Sequence, residues 1–113
     1  MAKINIKVYS KLNDIEEITE FMAIKMDDVI KYIDLENNKM IIDMKNNIII
    51  RENSDYVFTL KFNENIIEIL IKKVKKVMNK EIKVLLIDKT KKRFLVRYLL
   101  SDEKLINEYY VNY

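Results

Sequence analysis

The chain contains no cysteine, histidine, glycine, proline or tryptophan, and each absence removes a class of chemistry or structure. Without cysteine there is neither a disulfide framework nor thiol chemistry. Without histidine as well, Ser-His-Asp and Cys-His arrangements, the usual zinc sites and histidine acid–base mechanisms go together. Without glycine there is no phosphate-cradling loop and no dinucleotide fingerprint. No run of roughly 18 uncharged apolar residues offers a membrane helix, and the opening residues lack a signal-peptide core. The expected protein is therefore cytoplasmic, without membrane association, cofactor, metal or catalytic constellation. Carboxylate chemistry is the remaining enzymatic route. Its nearest clusters are Glu16, Glu17, Glu20, Asp27 and Asp28, residue types that ordinarily sit on exposed turns and polar strand faces.

What is present suits one globular domain spanning residues 1–113. Half of the residues are hydrophobic and 35% are charged, and a chain of this length buries roughly two-thirds of its unfolded surface. Isoleucine, lysine and asparagine are abundant, as an A- and T-rich coding bias produces without functional cause. Turns must be closed without glycine. Asn and Asp are the common residues that tolerate left-handed backbone and form their own side-chain turns, so they are expected to punctuate the chain.

With Asn and Asp as punctuation, short apolar runs follow one another at the spacing of a meander. Ile4, Ile6 and Val8 alternate with polar residues, the period of a half-buried strand. Residues 16–26 carry Ile18, Met22, Ile24 and Met26 on one parity and Phe21 and Ala23 on the other, with an amphipathic helix as the rival reading. Residues 29–35 and 40–45 flank Asn37 and Asn38. A two-residue turn there sets Glu36 against Lys39, Leu35 against Met40 and Ile33 against Ile42. A tight turn at Asn46 and Asn47 leads into Ile48, Ile49, Ile50 and Arg51. Tyr56, Phe58, Leu60 and Phe62 then give a strand with an aromatic inner face.

Residues 64–80 read two ways. Ile67, Leu70, Ile71, Val74, Val77 and Met78 have helical spacing with lysines opposite. The run of β-branched residues at 66–71 favours a strand instead. Strands at 82–87 and 94–100, turns at 88–92 and 101–104, and a last strand over 105–113 complete the chain. Many short strands with turns every 8 to 12 residues indicate an antiparallel barrel or sandwich.

Three stretches resemble the YwiB-like family, small bacterial proteins with a calycin-like β-barrel. They are Ile49-Ile50-Arg51-Glu52-Asn53 leading into Phe58-Thr59-Leu60-Lys61-Phe62, then Ile67-Glu68-Ile69 with its following lysines, and Arg93-Phe94-Leu95-Val96-Arg97-Tyr98. The chain departs from the family at Asn53, where a glycine is usual, and in lacking a Pro-Tyr-Gly run before Ile67. The resemblance implies a calycin-like antiparallel barrel of eight to ten strands, with residues 64–80 as strand; it implies no activity.

Two binding surfaces are expected. A barrel of this size can enclose a small apolar or acidic ligand, and Arg51, Tyr56, Phe58, Phe62, Phe94 and Tyr98 are its candidate lining, unless the aromatic residues simply fill the core. The tight turn sets Arg51 opposite Ile42 on the apolar face. Either it meets an internal partner such as a ligand carboxylate, or the register differs by one residue. A protein partner at an exposed strand edge is a further possibility of the same kind. The alternative is a basic surface for nucleic acid. Residues 1–62 carry 9 basic and 11 acidic side chains, whereas residues 63–113 carry 12 and 7. Lys72, Lys73, Lys75, Lys76, Lys91, Lys92 and Arg93 lead this excess, with Phe94 and Tyr98 as stacking candidates. Against it stand the modest net charge of +3 and the scarcity of arginine.

Overall fold

The alternating pattern becomes ten antiparallel strands in a computed structural model that describes residues 2–90, 92–100 and 104–113. They are β1 (Ala2–Leu12), β2 (Ile15–Met26), β3 (Val29–Ile33), β4 (Lys39–Asp43), β5 (Ile48–Glu52), β6 (Tyr56–Lys61), β7 (Ile66–Ile71), β8 (Lys76–Asp88), β9 (Arg93–Leu100) and β10 (Ile106–Asn112). Each pairs with its sequence neighbours, and β1 pairs with β10, which closes the sheet into a barrel. The protein is thus an all-β antiparallel barrel, and the described residues include no helix. Residues 64–80 form β7, a turn and the start of β8. The helical spacing loses there because β7 is laddered on both sides, to β6 and β8, and its β-branched residues suit a pleated surface. The turn expected at 101–104 lies, apart from Lys104, outside the described residues.

Asn and Asp do take the place of glycine. Asn13, Asp14, Asp27, Asn37, Asn47 and Asn65 all have positive φ, and Lys75 and Lys92 join them. Asn13-Asp14 and Asp27-Asp28 close two-residue hairpins, whereas the β3–β4 and β4–β5 loops are longer than the two-residue turns expected there, and this corrects two registers. Asp34 accepts hydrogen bonds from the backbone N–H groups of Glu36 (3.0 Å) and Asn38 (2.8 Å) and from Asn38 Nδ2 (2.9 Å). The β3–β4 loop consequently spans residues 34–38, Tyr32 faces Met40, and Ile30 faces Ile42. The shift from the expected pairing is an odd number of residues. It turns Ile33 and Leu35 to the outside, where both are exposed, as the period of two requires.

Between β4 and β5, Asp43 accepts from Asn46 N (3.1 Å) and Asn46 Nδ2 (2.8 Å). This loop also lengthens, and Arg51 faces Met40 rather than Ile42. Here the shift is even, so Arg51 stays on the inward face. On β2 the inward residues are Phe21 and Ala23, opposite Ile6 and Ile4. The Ile18, Met22, Ile24 and Met26 parity is exposed.

Because hairpins alternate, the β2–β3, β4–β5, β6–β7 and β8–β9 loops share one end of the barrel, and the remaining hairpins share the other. At the first end the loops are bonded to each other. Met44 N donates to Asp28 O (2.9 Å), Phe62 N to Asn47 O (3.1 Å) and Ile82 N to Asn65 O (2.9 Å). Lys89 Nζ reaches Met44 O at 3.1 Å. Met44 and Phe62 turn inward from these loops and are buried beside Phe94, Ile30 and Ile42. This end is closed.

Candidate ligand-binding site

Inward-facing side chains lose their cover along the barrel toward the other end. On β2 exposure rises from 1% at Ala23 to 65% at Ile15, and from Phe62 along β6 it rises from 2% to 39% at Tyr56. The strands therefore bound an open mouth, with a cavity of about 420 Å³ behind it, within the range of small-molecule sites. Apolar walls come from Val8, Leu12, Phe21, Met40, Ile49 and Leu60.

Arg51 is the one cation in the lining, among the described residues. β5 holds it inward opposite Phe58, whose ring centre lies 5.9 Å from the guanidinium carbon. Its ionic partner is the exposed Glu36, at 3.8 Å, too long for a good charge-assisted hydrogen bond. Its Nε is buried without a partner. Arg93 Nε is likewise without a partner, but its guanidinium donates to Asp88 at 2.6 Å and to Thr90 Oγ1 at 2.8 Å, and Arg97 meets Glu108 at 3.2 Å. Arg51 is accordingly the least saturated of the three arginines.

The other polar atoms of the lining come from Ser10, Asn13 and Thr19, from the carboxylates of Glu17, Asp34 and Glu36, and from three tyrosines. The hydroxyls of Tyr32 and Tyr109 hydrogen-bond to each other inside the barrel, and Phe21 packs on Tyr32 with ring centres 4.8 Å apart. Burial pushes Tyr32 up to about 12 and Tyr109 well above its ordinary range, and the Asp34 carboxylate adds to both. Burial likewise takes Tyr98 to about 12, against the pull of Arg51. All three are neutral donors at physiological pH.

Of the residues expected to line a cavity, Arg51 and Tyr98 do so. Tyr56 and Phe58 face inward nearer the rim, with ring centres 5.7 Å apart. Phe62 and Phe94 lie buried toward the closed end, Phe62 edge-on to Tyr98 at 5.5 Å. The basic residues divide. Lys72, Lys73 and Lys75 lie in the β7–β8 turn and Lys76 begins β8, all at the open end, whereas Lys92 and Arg93 adjoin the β8–β9 loop at the closed end. Lys91 is outside the described residues. Lys72 is paired with Glu52 at 2.7 Å, which holds that carboxyl below its usual range. Phe94 and Tyr98 are buried, so they are not surfaces on which bases stack.

Tyr32, Tyr109, Ser10 and Thr19 were not legible as lining residues. Tyr32 needed the Asp34 loop register, and Tyr109 shows only a period-two signal with Asn107 and Val111. Among the described residues no group of three or more acidic side chains could hold a metal, and no helix is long and apolar enough to cross a membrane. No family model, curated protein or solved structure matches the chain.

Proposed function

We propose that the protein is a non-enzymatic binding module, a calycin-like barrel of the YwiB-like kind, that takes a small amphipathic acid into its open end. The observation that carries this reading is Arg51, inward-facing and undersaturated at the mouth of a mainly apolar cavity. A carboxylate would complete its fork of donors, and an alkyl or aromatic body would cover the apolar wall. We assign the protein to the cytoplasm, which suits a chain without cysteine.

Calorimetric titration with octanoate and decanoate tests the reading. Saturable binding is expected, weakened about tenfold or more by Arg51→Gln, since a charge-assisted hydrogen bond is lost. If the wild-type protein binds no such acid, plain or hydroxylated, the reading is overturned.

A second reading concerns the strand edge. Residues 15–23 of β2 pair with β1 alone, because β3 meets β2 only at Ile24, Lys25 and Met26. Such an edge can accept an extended segment of a protein partner. Nucleic acid is the alternative. The division of the lysines between two ends counts against it, and steep salt-dependent binding would restore it.

A further inference from the structure

The cavity has one wall that an alkyl chain does not satisfy. In the barrel wall β3 and β10 are separated by β1 and β2, and Tyr32 and Tyr109 join hydroxyls across the interior. Ser10 lies directly opposite Tyr109 in the β1–β10 ladder. Thr19 follows on β2, opposite Val8. All four hydroxyl-bearing side chains line the cavity, facing Met40, Ile49 and Leu60 in the same lining.

Two phenols carry two O–H donors, and the bond between them uses one. The second proton needs another acceptor. The Asp34 carboxylate is the charge that acts on both phenols, yet it already accepts from Glu36 N, Asn38 N and Asn38 Nδ2. A ligand made only of methylenes would cover this wall and leave its hydroxyls without partners, which is costly in a dry site.

We propose that the Tyr32–Tyr109 pair sets the ligand preference of the cavity, selecting amphipathic acids that carry a hydroxyl or carbonyl oxygen on the chain, away from the carboxylate. This rests on the acid-binding reading of Arg51. The ligand oxygen accepts the phenol proton that the pair does not use, and Ser10 and Thr19 lie on the same wall. Sites built to hydrogen-bond a ligand hydroxyl discriminate strongly against the analogue that lacks it.

The test compares octanoate with its terminally hydroxylated analogue, and decanoate with its own, by calorimetric titration. Wild-type protein is expected to favour a hydroxylated acid by about tenfold, the worth of one buried hydrogen bond. Tyr109→Phe and Tyr32→Phe are each expected to bring that ratio toward one, whereas Arg51→Gln weakens both members of a pair and keeps the ratio. A merely structural tyrosine pair would lower the melting temperature in the Phe variants and leave the ratio unchanged. Equal binding of plain and hydroxylated acids by the wild type, or a ratio that survives both Phe substitutions, overturns this proposal while leaving the acid-binding reading intact. Failure of wild-type protein to bind any of the four acids overturns both.

Discussion

At the closed end of the barrel, backbone and side-chain hydrogen bonds run from loop to loop, and Lys89 reaches over to the β4–β5 loop. At the open end adjoining loops are bonded in the same way, as Lys72 N is to Asp55 O at 2.9 Å and Asn13 N to Asn107 Oδ1 at 3.3 Å, without a counterpart of the Lys89 reach among the described residues. Both ends draw on the same Asn- and Asp-rich turns, so residue type does not separate them. The difference lies in where the loops send Met44 and Phe62, which turn inward and fill one end. A barrel closed in this way keeps its stability at one end and leaves inward-facing side chains at the other available to a ligand.

The largest expected contrast follows from that division. Phe94→Ala removes a fully buried ring near the closed end and should cost about 3–5 kcal/mol. Tyr56→Ala, on the same inward parity but at the rim, should cost no more than about 1 kcal/mol. Urea unfolding of both variants measures the gap. Equal losses would break the comparison, since the rim would then contribute to stability as the plugged end does.

A smaller effect tests the tyrosines between the two ends. Tyr32 and Tyr98 are raised from 10.0 to about 12 by burial. Folding favours their neutral forms, so their contribution is complete below the unfolded value near 10. Above it the unfolded state ionises first, and stability falls until pH reaches the folded value. Each phenol should cost on the order of 2–3 kcal/mol between pH 10 and pH 12, at about 1.4 kcal/mol per pH unit. Chemical denaturation across that window should show the decline, and Tyr98→Phe should flatten it relative to wild type. An unchanged slope in that variant would place Tyr98 in solvent contact.

The fold was legible in the sequence wherever alternation was clean. β6 and β9 read directly, as Phe58, Leu60, Phe62 and Phe94, Val96, Tyr98, and the β-branched run at 66–71 outweighed its helical spacing. Register was legible only in part, because Asp34 and Asp43 lengthen their loops through side-chain bonds that a turn rule based on Asn pairs does not contain. One shift was odd and the other even. Tyr32 was therefore hidden behind the wrong face of β3, while Arg51 kept its inward direction despite a wrong partner. The cavity itself depends on which end is plugged, and the inward turn of Met44 and Phe62 that plugs it is set by loop geometry that no local pattern encodes.

The smallest expected change in stability is the most informative about the mouth. Glu36 is exposed and sits 3.8 Å from Arg51, and surface pairs of this kind contribute little to folding. Glu36→Gln should therefore leave the unfolding midpoint where it is. If Arg51 receives a ligand carboxylate, Glu36 competes for the same guanidinium, and neutralising it should tighten octanoate binding about two- to fivefold at low salt. The gain should shrink as ionic strength rises, since the pair is open to solvent. Weaker binding in the variant would instead mean that Glu36 orients Arg51 for its ligand. The open end would then hold its cation in place, as the closed end holds Lys89 against the Met44 carbonyl, and the contrast between the two ends would narrow to packing alone.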